Sequence, residues 1–124
     1  MASILRVNTL TDASSNNSTA MSTINQGTAK AWSNVNGTGT IAINDSFNVS
    51  GVTDNGTGDI TNTFSSGMSN TSYVMTISGG YVNDDGMARQ LEATANWKTY
   101  YYNEGTRDAK DGSVNSSAIH GDLA

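Results

Sequence analysis

An aromatic cluster close to residue 100 contains the side chains of this sequence that are best suited to bind a partner. Trp97 is followed shortly by three consecutive tyrosines, Tyr100, Tyr101 and Tyr102. Neighbouring side chains of a strand point to opposite faces, so the face that holds Trp97 also holds Tyr101. Tyr100 and Tyr102 then face outward, where aromatic rings are typical of sugar-stacking surfaces and of protein interfaces. We take these four residues as the candidate binding set, with an interface favoured, a ligand platform second and local packing third.

Catalytic machinery is hard to assemble from these residues. His120 is the only histidine, and the chain has no cysteine. A lone histidine needs a nucleophile and an orienting carboxylate, and serine is too abundant here to single out a nucleophile. The adjacent acids Asp84 and Asp85 precede Gly86, a setting in which aspartate bonds to the local backbone of a turn rather than facing a second carboxyl across a cleft. We expect the chain not to be an enzyme.

Metal and cofactor sites are not indicated either. The segment 54–59, with Asp54 and Asp59 at its ends, has oxygen ligands spaced as in a calcium loop. The twelfth position of such a loop carries a bidentate glutamate, and here it is Ser65. A hairpin turn explains the segment more simply, since Asn-Gly favours tight turns. We therefore expect no cofactor and no bound metal.

Charge and hydropathy exclude two classes of partner. Only 14% of the 124 residues are charged, and the net charge is -5. Binding to nucleic acid depends on clustered Lys and Arg, whereas the six basic residues here are spread along the chain. No apolar run approaches the ~20 residues of a membrane helix. We expect neither nucleic-acid binding nor membrane insertion.

Strand and turn signals alternate from about residue 28 onward. The clearest strand is predicted over residues 40–50, where Ile41, Ile43, Phe47 and Val49 share one face. A long strand is predicted over residues 91–100, with Trp97 on its apolar face. Other predicted strands cover residues 29–35, 60–64, 73–77 and 113–120, and turns are predicted at 54–59 and 83–86.

This pattern predicts an all-β fold, an antiparallel β-sandwich or small barrel of about seven strands. The domain is expected to cover residues 29–124. Residues 1–28 are expected to form an extended N-terminal arm, with a helical turn around residues 20–24. Hydrophobic residues make up only 35% of the chain, so the core of one subunit is expected to be small. Association of several copies would bury apolar faces that one subunit cannot cover.

Several segments are similar to a known family of virus proteins. They resemble a recurring module of tail-fibre-like and other virion structural proteins of tailed phages, especially those of marine bacteria. The resemblance implies a β-rich, trimeric piece of a fibre, appendage or receptor-binding tip, and it implies no catalytic residues. The resembling segments are residues 27–32, 34–39, 43–50 and 52–60, together with 3–12 and 118–123.

Two functions follow as expectations. The first is a bacteriophage virion structural protein, assembled in the host cytoplasm: a homotrimeric short fibre, appendage or capsid-surface decoration whose arm contacts other virion proteins. The second is a host-attachment module that binds a receptor or a host-surface glycan through Trp97, Tyr100 and Tyr102.

Overall fold

The computed structural model of the chain describes residues 3–79, 85–103 and 105–124. Within these ranges the chain forms ten strands and one short helix. In chain order they are β1 (Thr9–Thr11), β2 (Ser18–Ala20), α1 (Met21–Gly27), β3 (Ala31–Asn36), β4 (Ala42–Phe47), β5 (Val49–Gly56), β6 (Asp59–Phe64), β7 (Val74–Gly79), β8 (Asp85–Glu92), β9 (Asn96–Asn103) and β10 (Asn115–His120).

Eight of these strands form two four-stranded antiparallel sheets. The first sheet has the order β4-β3-β10-β7, and the second has the order β5-β6-β9-β8. Strands β3, β6 and β10 alternate regularly between buried and half-buried side chains, because one face of each packs on the core and the other faces outward. The predicted all-β fold is confirmed, and its form is a sandwich of two sheets.

The core lies between the sheets and combines a small apolar cluster with buried polar side chains. The cluster contains the rings of Phe64 and Trp97, whose centroids are 4.5 Å apart. Its buried members are Ala31, Phe64, Met68, Tyr73, Met75, Trp97 and Ile119. The buried polar residues include Ser33, Asn62, Thr99, Asn115 and Ser117. A core of this composition is stable only if its polar groups are hydrogen-bonded.

One hydrogen-bonded chain joins four of these side chains across the sandwich. The Trp97 indole N–H donates to the Ser117 hydroxyl oxygen at 2.9 Å, and the Ser33 hydroxyl donates to the Asn62 side-chain oxygen at 2.9 Å. The two hydroxyl oxygens are 3.0 Å apart. Because Ser33 uses its single proton on Asn62, Ser117 must donate to Ser33. The chain crosses between the sheets twice, since Trp97 and Asn62 belong to the second sheet and both serines to the first.

The strand predicted over residues 40–50 is in fact two strands in different sheets. Asn48 has a φ of 56°, and there the chain leaves β4 for β5. Asn48 Nδ2 donates to the Lys30 and Ser66 carbonyl oxygens, and its Oδ1 accepts the Ser66 N–H. Before the corner, a register shift in the pairing of β4 with β3 reverses the predicted face of Phe47: Ile43 pairs with the buried Val35, whereas Phe47 pairs with Trp32 on the outer side and is 53% exposed. An unbroken alternation of side chains cannot reveal such a corner, because the pattern continues through it.

The long strand predicted over residues 91–100 is also divided. Strand β8 ends at Glu92 and β9 begins at Asn96, and the two pair as a hairpin. In the turn between them, the Ala93 N–H donates a hydrogen bond to the Asn96 carbonyl oxygen at 3.2 Å. The turn predicted at residues 83–86 falls partly outside the described residues, and positions 85 and 86 belong to β8.

The arm before β3 consists of a small hairpin and the helix. Strands β1 and β2 pair with each other, and α1 extends the predicted helical turn to Met21–Gly27. Lys30 connects this arm to the sandwich: its ammonium donates to Asn25 and Thr28 at the end of the helix, and its backbone N–H donates to the Ile119 carbonyl oxygen. At seven residues, α1 is too short to cross a membrane, and the described residues contain no helix that could.

Candidate binding surfaces

Strand β9 separates the predicted binding residues into two pairs. Trp97 is 0% exposed and Tyr101 is 2% exposed, and both face the core. Tyr100 and Tyr102 are half-buried and lie on the outer side of the second sheet. The alternation expected from the sequence holds for all four residues. The binding role of the set stays a prediction, and Tyr100 and Tyr102 are the two members whose side chains face outward.

The outward tyrosines form a groove with the loop that follows β9. Tyr102 pairs with Ala109 through an isolated bridge, which brings the loop back along the strand. The Arg107 guanidinium carbon lies 5.7 Å from the centre of the Tyr102 ring, within the range of a cation–π contact. The groove is lined by Tyr100, Tyr101, Tyr102, Arg107 and Ala109, and its volume is about 340 Å³, close to the lower limit for a small-molecule site.

Charged side chains on this outer face pair with each other. Lys98 Nζ is 3.3 Å from a carboxylate oxygen of Asp59, and it also lies 5.9 Å from the centre of the Tyr100 ring. Asn55 donates to the other Asp59 oxygen at 3.0 Å. Such a half-exposed ion pair contributes little to stability. Because Lys98 and Asp59 pair with each other, neither of them offers an unpaired charge to a ligand in the groove.

A second surface lies on the outer side of the first sheet, and we call it the Trp32 face. Two rows of side chains cross it, each with one residue from every strand of the sheet. The first row is Phe47, Trp32, Ala118 and Thr76, and the second is Asp45, Asn34, Ser116 and Ser78. A shallow depression of about 330 Å³ lies beside Trp32, because the neighbouring side chains are small.

Trp32 is a surface residue that the predicted binding set does not include, although the sequence carries a signal for it. In β3 the buried positions are Ala31, Ser33 and Val35, so parity places Trp32 on the outer side. Because tryptophan is large and usually buried, its residue type favours the opposite assignment to the one that the alternation of β3 gives. Within the described residues the Trp32 indole N–H has no hydrogen-bond partner, whereas the N–H of Trp97 is fully engaged.

The groups considered for catalysis or metal binding do not come together. His120 is half-buried at the end of β10, opposite Val74. Asp54 accepts the Gly56 N–H at 2.9 Å, as expected of an aspartate in a hairpin turn. Asp84 lies outside the described residues, as does the side chain of Asp85. No group of three or more metal-ligating side chains occurs in the part of the chain that the structure describes.

The arm is the third surface of interest, because its apolar side chains are not covered. Ile4 is 75% exposed and Leu5 is 79% exposed. Val7 and Leu10 are exposed as well, and no residue of β1, β2 or α1 is fully buried. The arm therefore folds on itself without forming a core.

Comparisons with protein-family models, with curated proteins and with solved structures find no match to this chain. What the structure contributes to a functional assignment is the geometry described above. It defines an antiparallel β-sandwich with an apolar arm and two open outer surfaces.

Proposed function

We propose that this chain is a structural subunit of a tailed-phage particle, with no catalytic activity, located in the virion. It assembles as a homotrimer into a short fibre, an appendage or a decoration of the head surface. The resemblance over residues 27–60 supports the phage context. The observation that carries the assembly is the exposed arm, in which Ile4 and Leu5 have no covering partner within the described chain.

The energetics of the arm favour association. Full burial of one leucine or isoleucine side chain contributes about 1.5–3 kcal/mol. Each copy offers Ile4, Leu5, Val7 and Leu10, all exposed in the single chain. Association repeats this gain at every interface of a closed ring, while the sandwich itself needs no rearrangement. The arm would also be the part of each subunit that contacts other virion proteins.

Sedimentation equilibrium at micromolar concentration tests the assembly. We expect a trimer mass for the natural chain and a monomer mass for the double variant Ile4→Asn/Leu5→Asn. Thr53→Asn is the matched control, because Thr53 is exposed on the outer side of the second sheet; it should stay trimeric. A natural chain that sediments as a monomer would rule out the assembly. Electron microscopy of particles with labelled protein would test the location in the virion.

Host attachment is a second candidate function, favoured by the groove beside Tyr102. Aromatic rings stack on the apolar faces of sugars, and the Arg107 guanidinium can donate hydrogen bonds to hydroxyl groups. We expect glycan-array binding to be lost in Tyr102→Ala and kept in Thr53→Ala. Binding that is unaffected by Tyr102→Ala, or absent in the natural chain, would remove this candidate.

A further inference from the structure

The arm and the Trp32 face are two open surfaces of one chain with matching character. The arm exposes Ile4 and Leu5 at its start. On the Trp32 face, Phe47 is 53% exposed and Val74 is 63% exposed, on either side of the half-buried Trp32 ring. Apolar area of this kind on both surfaces favours contact between them.

Their charges are complementary as well. Arg6 is the only basic residue of the arm segment 3–28, and it is adjacent to Leu5; the one acidic residue of the segment, Asp12, accepts hydrogen bonds from Asn16 and Asn17 within the arm. Asp45 is the only acidic residue in the four strands of the first sheet, which contain no lysine or arginine. Neither Arg6 nor Asp45 takes part in an ion pair within the described residues. One unpaired cation in the arm thus corresponds to one unpaired anion on the face.

The outer side of the second sheet fits the arm less well. Its central charges, Lys98 and Asp59, already pair at 3.3 Å. Insertion of an apolar segment there would desolvate an ion pair without providing a new partner for it. The Trp32 face carries no such pair, and the hydroxyl and amide groups of its second row are small enough to leave the depression open.

We infer that the arm of one copy seats on the Trp32 face of a second copy, with Leu5 against Trp32 and Phe47 and with Arg6 directed to Asp45. This inference rests on the proposed assembly and names its interface. Both surfaces are open in each chain, and in the proposed trimer each copy gives an arm to one neighbour and receives an arm from the other. A head-to-tail interface of this kind closes into a ring when the rotation between copies permits, as a trimer requires.

Cross-linking by single cysteines tests the interface, because the natural chain has no cysteine. Leu5→Cys, carrying a size tag, is mixed with untagged Phe47→Cys under mild oxidation, and the mixed covalent dimer is measured on a non-reducing gel, where its mass differs from those of the two like-chain dimers. The control mixture is Leu5→Cys with Thr53→Cys, whose new thiol lies on the second sheet. We expect at least a fivefold excess of dimer in the first mixture.

The alternative outcomes separate the inference from the assembly on which it rests. Equal or greater cross-linking to Thr53→Cys, in a protein that sediments as a trimer, would leave the assembly standing and overturn the interface. An internal disulfide in monomers of the double variant Leu5→Cys/Phe47→Cys would show that the arm covers its own sandwich, and would also overturn it. A monomeric natural chain that cross-links in neither mixture would remove both proposals.

A charge exchange tests the Arg6–Asp45 contact separately. Arg6→Glu and Asp45→Arg should each raise the dissociation constant of the assembly by about threefold to tenfold, and the double variant should restore it. Both residues are exposed, so folding should be unaffected. Loss without restoration would overturn the predicted contact.

A neutral oligosaccharide that changes Trp32 fluorescence without changing the mass of a monomeric protein would assign the face to a glycan instead.

Discussion

Trp97 and Ser117 are joined by a 2.9 Å hydrogen bond that links β9 of one sheet to β10 of the other. The serine hydroxyl both accepts the indole N–H and donates to Ser33, so it holds two buried partners at once. In a core with little apolar volume, this one small side chain satisfies the largest fully buried residue of the chain. The relationship makes Ser117 a structural residue rather than one of many interchangeable serines.

Ser117→Ala should destabilise the protein by about 1–3 kcal/mol, because it leaves the buried Trp97 N–H without a partner and removes the proton donor to Ser33. The measurement is the free energy of unfolding in urea. Ser116→Ala is the matched control: Ser116 precedes Ser117 on the same strand but faces outward. The control should change the free energy by less than about 0.5 kcal/mol. Equal effects of the two substitutions would contradict the hydrogen-bonded chain.

Asn48→Ala should cost about 2–4 kcal/mol, since alanine resists the left-handed conformation and cannot replace the three side-chain hydrogen bonds of Asn48. Asn48→Gly should cost about 1 kcal/mol less than the alanine variant, because glycine adopts a positive φ readily. Unfolding free energies of the two variants check this order. A glycine variant as unstable as the alanine variant would mean that φ at the corner contributes nothing.

Lys30→Met should release α1 from the sandwich while leaving the core intact. The ammonium of Lys30 holds the last turn of the helix, and methionine keeps the apolar stem but has no donor. Hydrogen exchange of the α1 amides should quicken severalfold, with little change in the protection of β3 and β10. Equal loosening of helix and strands would instead assign Lys30 to the stability of the whole domain.

Asp12 makes the hairpin of the arm sensitive to acid. The side-chain amide of Asn17, which donates to this carboxylate at 2.7 Å, is the main reason that the pKa of Asp12 lies below its usual value of 3.8. A lowered pKa means that the stabilisation is present above the ordinary value and is lost as the pH falls through the lowered one. Carbon-13 NMR titration should find the pKa of Asp12 below 3.8 in the natural chain. In Asn17→Ala the pKa should rise, and an unchanged pKa would contradict the contact.

Much of the sandwich could be predicted from local alternation. Ile60 and Phe64 share the buried face of β6, and Trp97 and Tyr101 share that of β9, because a strand on a two-layer core must place every second residue inward. The same rule gave the outward direction of Tyr100. These expectations needed no knowledge of which strand pairs with which.

The breaks in the strands could not be predicted in this way. Side chains at 47 and 49 are both apolar, and nothing local indicates that they belong to different sheets. The hairpin between β5 and β6 also differs from the prediction. The sequence predicts a turn at Asn55 and Gly56, whereas the loop between the two strands is Thr57-Gly58, with Gly58 at a φ of 72°. In both cases the pairing register of the strands, rather than the local residue types, decides where the chain turns.

The surfaces were the least predictable part. Trp32 lies on the outer side of β3, and whether a partner covers it depends on the proposed assembly, which no pattern within one chain reveals. The binding role predicted for the aromatic cluster remains a prediction.

The place of β10 at the centre of the first sheet has a consequence for how the protein is made. This strand pairs with β3 on one side and β7 on the other, yet it follows both of them by dozens of residues. During synthesis, β3 and β7 emerge early with facing edges that have no partner, and Ser117 is not yet there to receive the Trp97 N–H. Long-range pairing of this kind makes folding slow and leaves strand edges exposed to neighbouring chains in the meantime. A nascent chain can thus close its first sheet only once residues 115–120 have been added, so cooperative folding of the sandwich waits for the synthesis of β10.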